Sequence, residues 1–148
     1  MARTMRKSSE IPGNRPQFHK RILFVDDEHA IRATLPPILK RYGFEVTAVA
    51  TVAQAMEEIR NHKFDLLICD LCIESEADGL AVVRAMREAN PRCMSVILTG
   101  YPADDTAAQG FALGIEDYVA KPASADFLIA LLADKLTAQD SKGADRPN

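Results

Sequence analysis

A chain of 148 residues with 47% hydrophobic and 26% charged content has the length and the ordinary composition of one soluble domain with its own core. Its net charge of −3 is unevenly placed: residues 1–20 hold Arg3, Arg6, Lys7, Arg15 and Lys20 against Glu10, which leaves 13 basic and 20 acidic residues for the rest. The acidic body disfavours a nucleic-acid surface, no apolar stretch is long enough to span a bilayer, and the basic N-terminus lacks the apolar segment of a secretory signal, so the expected location is the cytoplasm, with no membrane partner.

Residues 1–19 are rich in Ser, Pro, Asn and charge without an apolar period, and read as a disordered basic leader. The folded domain is expected over 20–138. Arg21-Ile22-Leu23-Phe24-Val25 predicts a strand, ended by Asp26-Asp27-Glu28. A helix follows to about Tyr42, closed by Gly43, and Pro36-Pro37 inside it predicts a kink or break, because each proline lacks an N–H and crowds the preceding turn. Phe44 to Ala50 is a second strand. Thr51 is placed to cap a helix through Arg60. The central stretch, Phe64-Asp65-Leu66-Leu67-Ile68-Cys69-Asp70, holds a continuous apolar run of the kind that suits a strand covered on both faces.

Leu71 to Asp78 reads as a polar loop, and Gly79 leads into a helix stopped by Asn90-Pro91. Cys93 to Leu98 is the fourth strand, ending at Thr99-Gly100. A short helix is predicted over 103–113 and a fifth strand over 115–120, ending at Lys121-Pro122. Ser124 caps a last helix to about Ala138, in which Leu128, Leu132 and Leu136 make a core-facing stripe. Phe127, Ile129 and Leu131 are then left pointing away from the core or along its edge. Residues 139–148 are polar and read as a flexible tail. Five β–α repeats imply a doubly wound, five-stranded parallel sheet with helices on both faces.

Three cysteines, Cys69, Cys72 and Cys93, do not make a disulfide framework. Cys69 and Cys72 have CxxC spacing, but at a strand end rather than at the start of a helix, and no second ligand pair suits zinc. All three read as unligated thiols.

The chemistry gathers at the carboxyl ends of the strands, which share one edge in a parallel sheet and are where ligands bind in open α/β folds. Strand one ends in Asp26-Asp27, strand three in Asp70, strand four in Thr99 and strand five in Lys121. Any one of these alone is an ordinary turn or cap residue. Together, three carboxylates would raise one another's pKa. A hard divalent cation such as Mg²⁺ and the Lys121 ammonium would relieve that repulsion.

This set resembles the receiver domain of two-component response regulators, a flavodoxin-like fold. The matching pieces are Asp26-Asp27, Asp70, Thr99-Gly100 and Tyr118-Val119-Ala120-Lys121-Pro122, and the likeness spans about residues 20–138. The resemblance implies that Asp70 accepts a phosphoryl group from a sensor histidine kinase or a histidine phosphotransfer protein. It implies Mg²⁺ held directly by Asp27 and Asp70, by Asp26 mainly through water, and by the backbone carbonyl of Cys72. Thr99, Gly100 and Lys121 would bind phosphoryl oxygens, Tyr118 would be the switch aromatic that follows Thr99, and the Lys121–Pro122 bond would be cis.

Two departures from the family pattern stand out. The loop after Asp70 has no proline and is one residue longer than usual, with Glu74, Glu76 and Asp78 adding negative charge beside the site; Tyr101 is bulky. The expectation is a stand-alone, phosphorylation-controlled binding module rather than an enzyme, with a possible homodimer through the last helix. The alternative is an unphosphorylated adaptor acting by protein binding only. An aspartyl-phosphate hydrolase would need an aspartate where Cys72 stands. A nucleotide site would need a glycine loop where Asp26-Asp27-Glu28 stands.

Overall fold

The structure, a computed structural model, describes residues 18–100 and 104–145. The leader before Phe18, and Tyr101, lie outside the described residues. Five strands, β1 (Arg21–Val25), β2 (Glu45–Val49), β3 (Leu66–Cys69), β4 (Met94–Thr99) and β5 (Asp117–Ala120), alternate with five helices. These are α1 (His29–Arg41), α2 (Val52–Asn61), α3 (Gly79–Ala89), α4 (Asp104–Ala112) and α5 (Ala125–Asp145). All strand pairs are parallel and the sheet order is β2-β1-β3-β4-β5, so the doubly wound architecture expected from the sequence is the one observed.

The two-sided core explains the unbroken apolar runs. Successive strand residues point to opposite faces. Leu23, Val25, Leu67, Cys69 and Ile97 pack against α2 and α3, while Ile22, Phe24, Leu66, Ile68, Val96 and Leu98 pack against α1 and α5. Every residue of β3 and β4 is buried.

Local signals hold at three helix ends. The Thr51 hydroxyl accepts from the Gln54 amide and the Ser124 hydroxyl from the Phe127 amide. Gly43 (φ 94°) closes α1 in the left-handed conformation that a C-terminal glycine supplies.

Four expectations need correcting. The break at Pro36-Pro37 is absent: α1 is helical without interruption from His29 to Arg41. Burial of Leu35, Pro36 and Leu39 against the sheet holds the helix together through the missing donors. In α5, Leu128, Leu132 and Leu136 are buried as expected, but so is Ile129, and Leu131 packs at the core's edge, leaving Phe127 as the exposed member of that trio. The helix runs on to Asp145, beyond Ala138. Phe18 belongs to the folded body: its amide donates to the Tyr42 carbonyl and its ring stacks on Phe44 at 4.9 Å.

Candidate phosphoacceptor site

Strand register places the site. Val25 pairs with Cys69, so Asp26 and Asp70, each one residue beyond, leave adjacent strand ends. Thr99 pairs with Ala120, and the Lys121 amide donates to the Thr99 carbonyl at 2.7 Å, which carries Lys121 to the same edge. The Lys121–Pro122 bond is cis, as the family resemblance implies. Asp27, Glu28, Ile31, Asp70, Cys72, Gly100, Lys121 and Pro122 line one cleft above these ends.

The centre of the cleft is an ammonium shared by carboxylates. Lys121 Nζ lies 2.7 Å from Asp26 Oδ2, 2.6 Å from Glu28 Oε1 and 3.1 Å from Asp70 Oδ2. The side chains of Asp26, Asp70 and Lys121 are nearly buried, whereas Glu28 and Asp27 are exposed. Glu28 is the partner that sequence reasoning passed over; the third acid of Asp26-Asp27-Glu28 was its only signal. The remaining polar atoms tie the acids to the backbone: Asp26 Oδ1 accepts from the Glu28 amide at 2.9 Å, Asp70 Oδ1 from the Cys72 amide at 3.3 Å, and the Asp26 carbonyl from Arg32 Nη1 at 2.9 Å.

The charge balance shapes the titration. Burial pushes the Asp70 pKa up and the Asp26 charge adds to it, against the hydrogen bond and charge of Lys121. The Asp27 pKa is raised by its partial burial and by Asp26. Burial alone would lower the Lys121 pKa, but the close Asp26 carboxylate and the hydrogen bonds to Glu28 and Asp70 more than offset it and hold the ammonium charged.

The donor set suits a hard cation. Oxygens of Asp26, Asp27 and Asp70 lie within 4.8 Å of one another. The buried Asp26 Oδ2 is close to the lysine but not aligned for a hydrogen bond, and has no other partner among the described residues. Carboxylates in small number, open to solvent on one side, are what Mg²⁺ takes. Cys72 lines the cleft, and its amide is already turned to Asp70.

Thr99 is fully buried at the end of β4. Gly100 borders the cleft, where a Cβ would meet nothing within 4 Å. Tyr118 is half-buried on the α2–α3 side, and its hydroxyl meets the Thr106 hydroxyl of α4 at 3.1 Å.

The loop after Asp70 is built differently from its reading as a polar, acid-rich segment. Leu71 and Ile73 are buried in the core. The Asp78 carboxylate faces back into the loop and accepts from the amides of Ile73, Glu74 and Ser75 at 2.7, 2.9 and 3.0 Å. Glu74 accepts from the Val52 amide at the start of α2. Two of the three loop acids therefore serve backbone donors.

The sequence profile of the response regulator receiver domain matches residues 22–133. The transcriptional regulatory protein ZraR of Escherichia coli K12 is 33% identical over 126 residues, covering 85% of this chain and 28% of ZraR. The photosynthetic apparatus regulatory protein RegA of Rhodobacter capsulatus is 37% identical, covering 76% of this chain and 61% of RegA. The chain thus spans less than two thirds of these relatives. Among solved structures, a CheY-like receiver domain protein from Methanospirillum hungatei JF-1 superposes with a TM-score of 0.79 at 28% identity, over 83% of this chain and 98% of that one. A response regulator from Burkholderia pseudomallei, with a phosphorylated aspartic acid, a calcium ion and citrate, superposes with a TM-score of 0.72 at 27% identity, over 86% and 75%. With the profile match over residues 22–133 and its strand order, this chain belongs to the receiver domain family of two-component response regulators.

Proposed function

We propose that Asp70 accepts a phosphoryl group from the phosphohistidine of a sensor kinase or a histidine phosphotransfer protein, in a Mg²⁺-dependent reaction. The observation that carries this reading is the Asp70 carboxylate itself. It is nearly buried yet opens on a cleft, with an ammonium 3.1 Å from one oxygen and two further carboxylates close enough to share a cation. The phosphorylated aspartic acid and calcium ion of the Burkholderia relative support it.

In this reaction an Asp70 oxygen forms a bond to phosphorus while the donor's P–N bond breaks, and the imidazole nitrogen leaves with the bonding pair. Asp70 attacks as the carboxylate, which Lys121 favours. Mg²⁺, held by Asp26, Asp27, Asp70 and the Cys72 carbonyl, would supply positive charge to the phosphoryl oxygens. Thr99, the Gly100 amide and Lys121 donate to those oxygens. The product is the protein's own acyl phosphate, so the chain acts as a signalling acceptor rather than as an enzyme on a separate substrate. Its outlet is the α4–α5 side, where Tyr118 meets Thr106 and where Phe111 and Phe127 are the exposed large apolar side chains among the described residues; a second copy is one partner for that side.

The test is incubation with Mg²⁺ and acetyl phosphate, followed by intact mass. One phosphoryl adduct is expected, lost on chelation and in Asp70→Asn. Undiminished labelling of Asp70→Asn would overturn the assignment.

A further inference from the structure

We infer that Glu28 is a positioning residue that regulates phosphorylation by competing with the incoming phosphoryl group for Lys121. The inference rests on the phosphoacceptor role of Asp70. Three carboxylate oxygens surround Lys121 Nζ within 3.1 Å: it donates to Glu28 and Asp70 and lies in ion-pair contact with Asp26, so its near positions are occupied before any donor arrives. Binding a phosphoryl oxygen therefore requires one of those contacts to be released.

The three partners differ in what release costs. Asp26 and Asp70 have side chains 2% and 8% exposed, so neither can turn to water when released from Lys121. Glu28 is 57% exposed and is hydrated as soon as it lets go. Its contact is also the shortest of the three, at 2.6 Å. Glu28 is thus the exchangeable partner, a carboxylate holding the place that a phosphoryl oxygen takes. The transfer still forms the Asp70 O–P bond and breaks the donor's bond to phosphorus. Lys121 gives up no proton and changes only the oxygen it faces.

Glu28 stands just before α1, and its side chain makes no cap hydrogen bond there, so changing it leaves the helix start intact. Competition for Lys121 predicts something that simple repulsion of an anionic donor does not. Glu28→Gln removes the charge. Glu28→Asp keeps the charge but withdraws it by one methylene, about 1.5 Å, out of contact with the lysine. Phosphorylation by acetyl phosphate is timed by intact mass at saturating Mg²⁺, so that cation affinity drops out. Both variants are expected to label about two- to fivefold faster than wild type, the size of one exposed charge contact. Acceleration of Glu28→Gln alone would mean that only the field of the charge matters and would overturn the inference, as would wild-type rates in both. A wild type that takes no adduct would instead fail the phosphoacceptor reading itself, and the two failures are told apart by that control.

Discussion

Lys121 neutralises at most one of the carboxylates around it, so the cleft keeps an excess of negative charge that a cation must meet. The pKa values of Asp27 and Asp70 are raised above the ordinary 3.8, so the metal-free folded state holds protons that the unfolded chain has released. Stability without metal therefore falls as pH rises from about 3.8 through the raised values, because the unfolded state binds fewer protons in that window. Mg²⁺ should raise the melting temperature much more at about pH 7 than at about pH 4, where protonation has already removed the repulsion. Equal gains at both would contradict the shared-cation site. The acids and the lysine were legible in the sequence because each follows an apolar strand, and parallel topology brings such ends together. Glu28 was not, because its contact with Lys121 depends on the path of the chain between β1 and α1, on which periodicity is silent.

At the scale of elements, the loop between β3 and α3 sets the floor of the site. A Cβ on Gly79 would stand 2.1 Å from the Asp70 carbonyl and 2.8 Å from that of Leu71, both backbone atoms that cannot swing aside. Gly79→Ala should cost about 3 kcal/mol or more by denaturant unfolding and slow phosphorylation, because relief comes only by moving Asp70. A variant with wild-type stability and rate would show that the loop yields freely. Asp78→Ala should cost about 2 kcal/mol by orphaning three amides, while leaving labelling possible. The loop acids looked like site charge in the sequence because an Asx-type return to preceding amides is set by loop shape. The prolines of α1 misled as to a break for a related reason: their local cost is real, but tertiary burial outweighs it. Pro37 is exposed, and Pro37→Ala restores a donor to the Ala33 carbonyl, so a gain of about 1–2 kcal/mol is expected by chemical denaturation. Unchanged or reduced stability would show that the helix had already absorbed the defect.

Across the whole molecule, two apolar layers fix the sheet, and the chemistry is confined to one of its edges. No helix among the described residues is long and apolar enough to cross a membrane. The fold was readable almost throughout, since β–α alternation with two-sided strands leaves few alternatives, whereas the burial of Ile129 and the docking of Phe18 depend on neighbours distant in sequence. Phe127 is 53% exposed, so Phe127→Glu should leave stability within about 0.5 kcal/mol. If α5 is the contact between copies, the same change should abolish any increase in mass on light scattering after phosphorylation; an undiminished increase would remove α5 from that role. The central claim is that Asp70 carries the phosphoryl group. Borohydride reduces an aspartyl phosphate to homoserine, so peptide mapping after labelling and reduction reads the acceptor directly. The expected result is homoserine at position 70 alone, whereas homoserine at Asp26 or Asp27, or none after stoichiometric labelling, would contradict it.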